Sequence, residues 1–175
     1  MSTVQKRDSE NTMPANVEAA PVLKKSKSGE AADATFESSK AAVMRAFEDW
    51  GTGRMCGDGR DDVLAADATA DCVIDASAAM KNTDGYQLYN GLGGFGEWID
   101  FLTAYDFPDF QVLTISPGAE PNKVLVQVSY TPTIKATGKT GPLMSDLQEW
   151  TVTGGKTSAV KFYWGNPSAL DALFA

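Results

Sequence analysis

The chain has 175 residues, 43% of them hydrophobic and 10% aromatic, which is enough for one folded domain beside a short tail. The net charge of −8 and the lack of a basic stripe argue against nucleic acid as a partner. The sequence contains no histidine, which excludes histidine-based catalytic triads, a histidine general base and histidine-ligated metals.

The cysteines and the apolar runs bear on where the protein is found. Cys56 and Cys72 do not form a CxxC pair and are too few for a disulfide framework, which suits a reducing compartment. No apolar run approaches the ~20 residues of a membrane helix, and the N-terminus lacks the apolar core of a secretory signal. We therefore expect a cytoplasmic protein that does not associate with membranes.

No cofactor or metal site is expected. The glycine-rich stretch at residues 91–96 lacks the Lys-Ser or Lys-Thr of a phosphate-binding loop, and no strand leads directly into it. The acidic residues at 58–62 lack the spacing and the terminal glutamate of a calcium-binding loop.

Residues 1–34 differ in composition from the rest of the chain. They are rich in Ser, Ala, Lys, Glu and Pro and hold no aromatic residue, so we expect a disordered tail. The KKSK run at residues 24–27 is similar to a weak nuclear signal, although a solvated tail is the simpler interpretation. Residues 35–175 are predicted to form the single folded domain.

The first predicted helix follows the tail. Apolar residues recur on one helical face at intervals of seven, four and three: Phe36, Val43, Phe47 and Trp50. Asp33 or Thr35 is expected to cap the start of this helix, and Gly51 to end it.

The middle of the chain alternates between helix and strand. A short acidic helix is predicted near residues 61–67, and β-branched residues indicate a strand at 71–75. Residues 77–91 are rich in Asn and Gly and are predicted to be irregular. A second amphipathic helix is predicted from about Leu92 to Tyr105.

After the second helix the apolar period changes from 3.6 to 2, which predicts four strands. They lie at residues 110–116, 123–133, 143–153 and 157–164, the last two joined by a Gly154-Gly155 turn. Helices followed by a meander predict an α+β fold, with N-terminal helices against a curved antiparallel sheet that encloses a pocket.

Four stretches carry a resemblance to a known family: RAFEDWGTG, DDVLAADATADCVIDAS, YNGLGGFGEWIDFL and DLQEWTVTGGKTSAVKFYW. Together they resemble the NTF2-like superfamily, specifically its SnoaL-like branch, over roughly residues 35 to 170. The resemblance implies a cone-shaped α+β barrel of the NTF2-like or cystatin-like kind, and it implies homodimers. The family's functions range from isomerases, dehydratases and cyclases to binding modules, so the fold leaves the function open.

The ketosteroid isomerases of this superfamily place their catalytic groups differently. The tyrosine that stabilises the oxyanion in those enzymes corresponds in position to about Ala46 here, which cannot donate a hydrogen bond. The carboxylic acid that stabilises the same oxyanion corresponds to Gln148 or a residue beside it. Their general base falls closest to Asp75 or Ala76. The resemblance therefore does not imply steroid isomerisation.

One predicted strand mixes apolar and polar residues on the same face: Met144, Asp146, Gln148, Trp150 and Val152. Such a mixture is typical of a pocket wall. In the alternative register, Leu143, Leu147 and Thr151 face inward, because a shift of one residue exchanges the two faces of a strand. Asp146 and Gln148 then lie in solvent.

Three residues are candidates for acid–base chemistry. Asp75 or Asp146 would act as the base, and Tyr130 or Gln148 would donate a hydrogen bond. Tyr130 is favoured as a polar group in the pocket because it continues the apolar face of its strand with a hydroxyl. Asp75 has a simpler interpretation as a cap of the loop that begins at Ala76.

An apolar or aromatic small molecule is the expected ligand, because aromatic rings stack on flat apolar ligands. The candidate ligand-binding residues are Tyr86, Trp98, Gln148, Trp150, Phe162 and Trp164. The predicted function is that of a small-molecule-binding SnoaL-like protein with isomerase, dehydratase or cyclase-type activity through carboxylate acid–base chemistry. The alternative is a non-catalytic ligand-binding or dimerisation module.

Overall fold

The computed structural model describes residues 27–175, with side chains from residue 33 onward. Its helices are α1 (Lys27–Gly51), α2 (Arg60–Asp67), α3 (Gly91–Leu102) and α4 (Pro167–Ala172). Its strands are β1 (Ala68–Asp75), β2 (Leu88–Asn90), β3 (Tyr105–Asp106), β4 (Gln111–Pro117), β5 (Lys123–Tyr130), β6 (Thr133–Ile134), β7 (Met144–Thr153) and β8 (Lys156–Tyr163). None of the helices in this range is both long and apolar enough to cross a bilayer.

Six strands form one sheet in the order β2-β1-β8-β7-β5-β4, while β3 and β6 pair separately. The predicted α+β order of helices before a meander is confirmed. The sheet ends at β2 and β4 and does not close into a barrel. Irregular register in three pairs of strands, β1–β8, β4–β5 and β7–β8, bends the strands, as β-bulges do.

The sheet is mixed, whereas the sequence predicted an antiparallel one. Strand β1 runs parallel to β8 and antiparallel to β2. Parallel neighbours need a long crossover, and here α3 and the rest of the meander separate the two strands along the chain. The alternation of residues within a strand does not reveal the direction of its neighbour, so this pairing was not predictable.

Two helix boundaries differ from the prediction. Helix α1 begins at Lys27, earlier than the predicted caps at Asp33 or Thr35, and residues 1–26 of the predicted tail lie outside the described residues. Helix α3 ends at Leu102, and Tyr105 pairs with Ile134 in the small sheet. The predicted irregular segment also contains β2, which pairs with β1.

The concave face of the sheet forms the core, and every second residue of β5 and β7 points into it. On β5 the buried residues are Val124, Val126, Val128 and Tyr130, and on β7 they are Met144, Asp146, Gln148, Trp150 and Val152. Leu143 and Leu147, in contrast, are 70% and 38% exposed. The register that places Asp146 and Gln148 inside the fold is therefore the one that forms, and helices α1 and α3 cover it.

Candidate ligand-binding site

An apolar cavity of about 90 Å³ lies between the concave sheet face, α1, α3 and α4. Of the predicted site residues, all but one line it: Tyr86, Trp98, Tyr130, Asp146, Gln148, Trp150, Phe162 and Trp164. They come from β5, β7, β8, α3, the loop before β2 and the segment after β8, so residues distant in sequence meet at one place.

Asp75 is the predicted residue that does not line the cavity. Its inward-facing neighbour Ile74 does so instead. Asp75 Oδ1 accepts hydrogen bonds from the backbone N–H and the hydroxyl of Ser77, so Asp75 caps the loop after β1. The contacts of Asp75 therefore favour the loop cap, because its strand turns that side chain away from the cavity.

Asp146 is the buried carboxyl group of the cavity, with 2% of its surface exposed. The backbone N–H of Gly165 donates to Oδ1 at 2.7 Å, and the hydroxyl of Tyr130 donates to Oδ2. Burial raises the pKa of Asp146 above its ordinary value, and these two donors oppose the increase. The carboxyl group thus holds its proton to a higher pH than an exposed aspartate does.

A second polar pair lies beside this carboxyl group. The hydroxyls of Tyr86 and Tyr105 are hydrogen-bonded to each other at 3.0 Å. Burial raises the pKa of Tyr105 to about 12, and burial together with the nearby Asp146 charge raises the pKa of Tyr130 further. All of these hydroxyls are therefore neutral at physiological pH and serve as hydrogen-bonding groups.

Gln148 supplies a donor on the same cavity wall. The indole N–H of Trp150 donates to Gln148 Oε1 at 2.9 Å. Because an indole nitrogen can only donate, this bond fixes the amide oxygen toward Trp150. The amide NH₂ has no acceptor within residues 33–175 and lies in a side chain that lines the cavity, so it can donate to a bound molecule.

Aromatic rings form most of the remaining wall. Trp164 and Phe162 stack with their ring centroids 4.9 Å apart, and Trp98 meets Phe162 edge-on at 5.3 Å. The indole N–H of Trp164 donates to the backbone oxygen of Ala76 at 3.1 Å, which holds this ring in place. The cavity therefore offers aromatic surfaces with polar groups on the wall formed by β5 and β7.

Sequence reasoning missed several residues that line the cavity. Among them are Phe47, Trp50, Tyr105, Phe107, Phe110 and Leu170. Phe47 and Trp50 lie on the predicted apolar face of α1, which was the signal available for them. Tyr105 gave no such signal, because it was predicted as the end of a helix instead of a strand.

The raised pKa of Asp146 predicts a pH dependence of stability. The folded protein holds this proton more tightly than the unfolded chain, so the resulting stabilisation is present at acidic pH. It is lost as the pH rises through the raised pKa. Asp146→Asn cannot titrate, so its free energy of unfolding should decline less than that of the wild type between about pH 4 and pH 8.

Urea denaturation at a series of pH values would measure this difference. Asp75→Asn is the matched control, since it is the same substitution at a carboxyl group that lies outside the cavity. Equal pH slopes for the wild type and Asp146→Asn would contradict the expected burial effect.

Comparisons with known proteins place the fold. No family profile and no curated protein matches the sequence. An NTF2-like protein from Burkholderia xenovorans LB400 is 16% identical, with a TM-score of 0.62 over 80% of this chain and 98% of that chain. A Jannaschia sp. CCS1 protein described as a SnoaL-like polyketide cyclase is 17% identical, with a TM-score of 0.59 over 81% of this chain and 94% of that chain.

A third similar structure contains a small molecule. TerC co-crystallised with polyporic acid is 12% identical, with a TM-score of 0.57 over 79% of this chain and 99% of that chain. These matches show that the chain has the NTF2-like fold, the fold of the SnoaL-like proteins.

Proposed function

We propose that this chain binds a compact apolar or aromatic molecule in the cavity and that Asp146 exchanges a proton with it, in a reaction of the isomerase, dehydratase or cyclase type. The observation that carries the proposal is a buried carboxyl group, hydrogen-bonded to Tyr130, on the wall of an apolar cavity. A carboxyl group with a raised pKa accepts and returns a proton near neutral pH more readily than an exposed one.

The neighbouring groups have distinct parts in this proposal. The free amide NH₂ of Gln148 would donate to an oxygen atom of the ligand, and the stacked rings of Phe162 and Trp164 would contact its apolar surface. Tyr130 stays neutral and orients the carboxyl group of Asp146. These contacts position a ligand atom beside a group that can move a proton.

The size of the cavity limits the ligand. Its volume of about 90 Å³ is smaller than the roughly 150 Å³ of an engineered protein cavity that binds benzene. A molecule with even one ring must therefore displace wall side chains slightly. TerC, which has the same fold, was crystallised with polyporic acid, and this supports an organic ligand for the cavity here.

Asp146→Asn tests the proposed role of the carboxyl group. The substitution keeps the shape and removes proton exchange, so we expect turnover of the ligand to fall by about 10²-fold or more. The first step is native mass spectrometry of gently purified protein, which would identify a co-purified molecule to use in binding and turnover assays. The matched control is Asp75→Asn, whose carboxyl group caps a loop outside the cavity.

A variant Asp146→Asn that binds and converts the ligand as well as the wild type would contradict the proposal. If its thermal stability also falls sharply, Asp146 has a structural role only.

A non-catalytic binding module is the second candidate, and one observation favours it. Both oxygens of Asp146 already accept a hydrogen bond, one from Gly165 and one from Tyr130. A carboxyl group with satisfied oxygens can serve mainly to order β5, β7 and the segment after β8. In that case Asp146→Asn would alter affinity and no turnover would be found with any co-purified molecule.

We further propose a homodimer formed through the convex face of the sheet. Leu147 and Tyr163 face each other there in register and are 38% and 44% exposed. Glu149 and Lys161 are the next pair on this face of the sheet, so the face carries both charges beside its apolar centre. A second copy related by a two-fold axis presents the same groups, and opposite charges can then pair across the interface.

The free state of Cys56 and Cys72 supports the cytoplasmic location proposed from the sequence.

Leu147→Lys tests this dimer. A lysine on the apolar centre would bring two like charges together, so we expect the dissociation constant of the dimer to rise by about tenfold or more. Met44→Lys is the control, because Met44 is similarly exposed, at 42%, but lies on α1. Native mass spectrometry at several concentrations would measure both. A wild-type monomer at high concentration, or an unchanged dimer in Leu147→Lys, would contradict the proposal.

A further inference from the structure

The cavity wall between α1 and the segment before β4 is less deeply buried than the rest of the wall. Three of its aromatic residues, Trp50, Phe107 and Phe110, are half-buried, whereas Trp98 and Trp150 deeper in the cavity are almost fully buried. The Trp50 ring lies 5.0 Å from the Phe110 ring and 5.8 Å from the Phe107 ring, measured between centroids. These three rings therefore separate the cavity from solvent on this side.

The backbone on one side of this wall is fixed. Tyr105 and Asp106 pair with Ile134 and Thr133, which anchors the chain just before Phe107. Asp109 then accepts hydrogen bonds from the backbone N–H and hydroxyl of Thr131, at 2.6 and 2.7 Å. Phe107 and Phe110 thus project from an anchored segment.

Trp50 is held differently. The indole N–H of Trp150 donates to Gln148 and that of Trp164 donates to Ala76, but the indole of Trp50 donates to no residue within 33–175. Its ring contacts are to Phe107 and Phe110. Ring packing against Phe107 and Phe110, and no hydrogen bond to these residues, therefore holds the Trp50 indole over this side of the cavity.

The charge near this wall restricts the ligand further. Asp106 and Asp109, on either side of Phe107 and Pro108 in sequence, are both exposed carboxylates. Asp106 pairs with Lys135 at 3.5 Å, and the described domain is acidic as a whole. Asp109 has no cationic partner within residues 33–175, so a neutral ligand is favoured over an anionic one at this point.

We propose that Trp50 closes the cavity and sets the upper size of its ligand, so that neutral single-ring compounds are favoured over fused two-ring compounds. The inference rests on the proposed function, since it assigns a size limit to the same cavity. An indole is larger than a single benzene ring. Its removal would therefore open more room than a second fused ring requires, and would open it at the mouth of the cavity.

Calorimetric titration with phenol and 2-naphthol tests the inference. We expect the wild type to bind phenol more tightly than 2-naphthol. In Trp50→Ala the ratio of 2-naphthol affinity to phenol affinity should rise by at least about tenfold, since a single methylene already changes selectivity by about 10- to 200-fold. Trp50→Leu should shift the ratio in the same direction and serves if the alanine variant does not fold.

Phe36→Ala is the matched control. Phe36 is a half-buried aromatic residue on the same helix as Trp50 and does not line the cavity, so its removal should leave the ratio unchanged. An unchanged ratio in the folded Trp50 variants, or an equal shift in Phe36→Ala, would overturn the inference alone. Failure of every variant to bind either compound would overturn the proposed function and the inference together.

Discussion

Replacing Trp98 with alanine is expected to lower the free energy of unfolding by about 3–5 kcal/mol, the usual cost of deleting a buried large aromatic side chain. Trp98 is 3% exposed and lies on α3 where this helix meets the sheet. Five rings contact it: those of Tyr86, Tyr89, Phe101, Phe162 and Trp164. Its deletion leaves a space that these rings, packed on several elements, cannot fill by moving together.

Urea denaturation followed by far-UV circular dichroism would measure this loss. A domain typically has about 5–15 kcal/mol of stability in total, so the variant should unfold at a much lower urea concentration. Met44→Ala is the control, because this exposed helical position should change stability by no more than about 0.5 kcal/mol. A loss under about 1 kcal/mol for Trp98→Ala would show that the ring cluster does not hold α3 on the sheet.

Replacing Gly165 with alanine is expected to cost about 3–5 kcal/mol, from overpacking and from the weakening of a partly buried hydrogen bond to a carboxyl group. A Cβ atom at Gly165 would lie 2.2 Å from the backbone oxygen of Ser145 and 3.5 Å from Asp146 Oδ1. The backbone must shift to relieve this contact, and the N–H of Gly165 then moves away from Asp146, which it reaches at 2.7 Å.

Gly93→Ala is the matched control for this substitution. Gly93 lies in α3 with no atom within 4 Å of an added Cβ, so alanine there should stabilise the protein by about 0.5–1 kcal/mol. Thermal and urea denaturation of both variants would measure the contrast. Equal stabilities would show that the segment after β8 accommodates a side chain at position 165 and does not fix Asp146.

The Gly165 contact also bears on the choice between the two candidate functions. If Gly165→Ala folds and raises the pKa of Asp146 further, the N–H of Gly165 tunes the proton affinity of that carboxyl group. This would favour the acid–base function. Carbon-detected NMR of the carboxyl groups, with Asp146→Asn for assignment, would follow that pKa directly.

The sequence by itself determined the order of elements and most of the inward-facing residues. On β5 three valines lead to Tyr130 on one face, and the structure buries all four. On β7 both faces carry apolar residues, so the sequence pattern does not decide whether Leu147 or Asp146 faces inward. The pairing with the neighbouring strands decides it. For Asp75 the sequence left two roles open, and its hydrogen bonds to Ser77 favour the loop cap.

Only the tertiary structure decided what the cavity contains and how large it is. Tyr105 reaches Tyr86, and Gly165 reaches Asp146, through contacts between elements that no local pattern relates. The parallel pairing of β1 with β8 and the 90 Å³ left between the rings likewise depend on how distant segments pack. Periodicity reports which side of an element is buried, whereas partners, directions and volumes arise from packing between elements far apart in the chain.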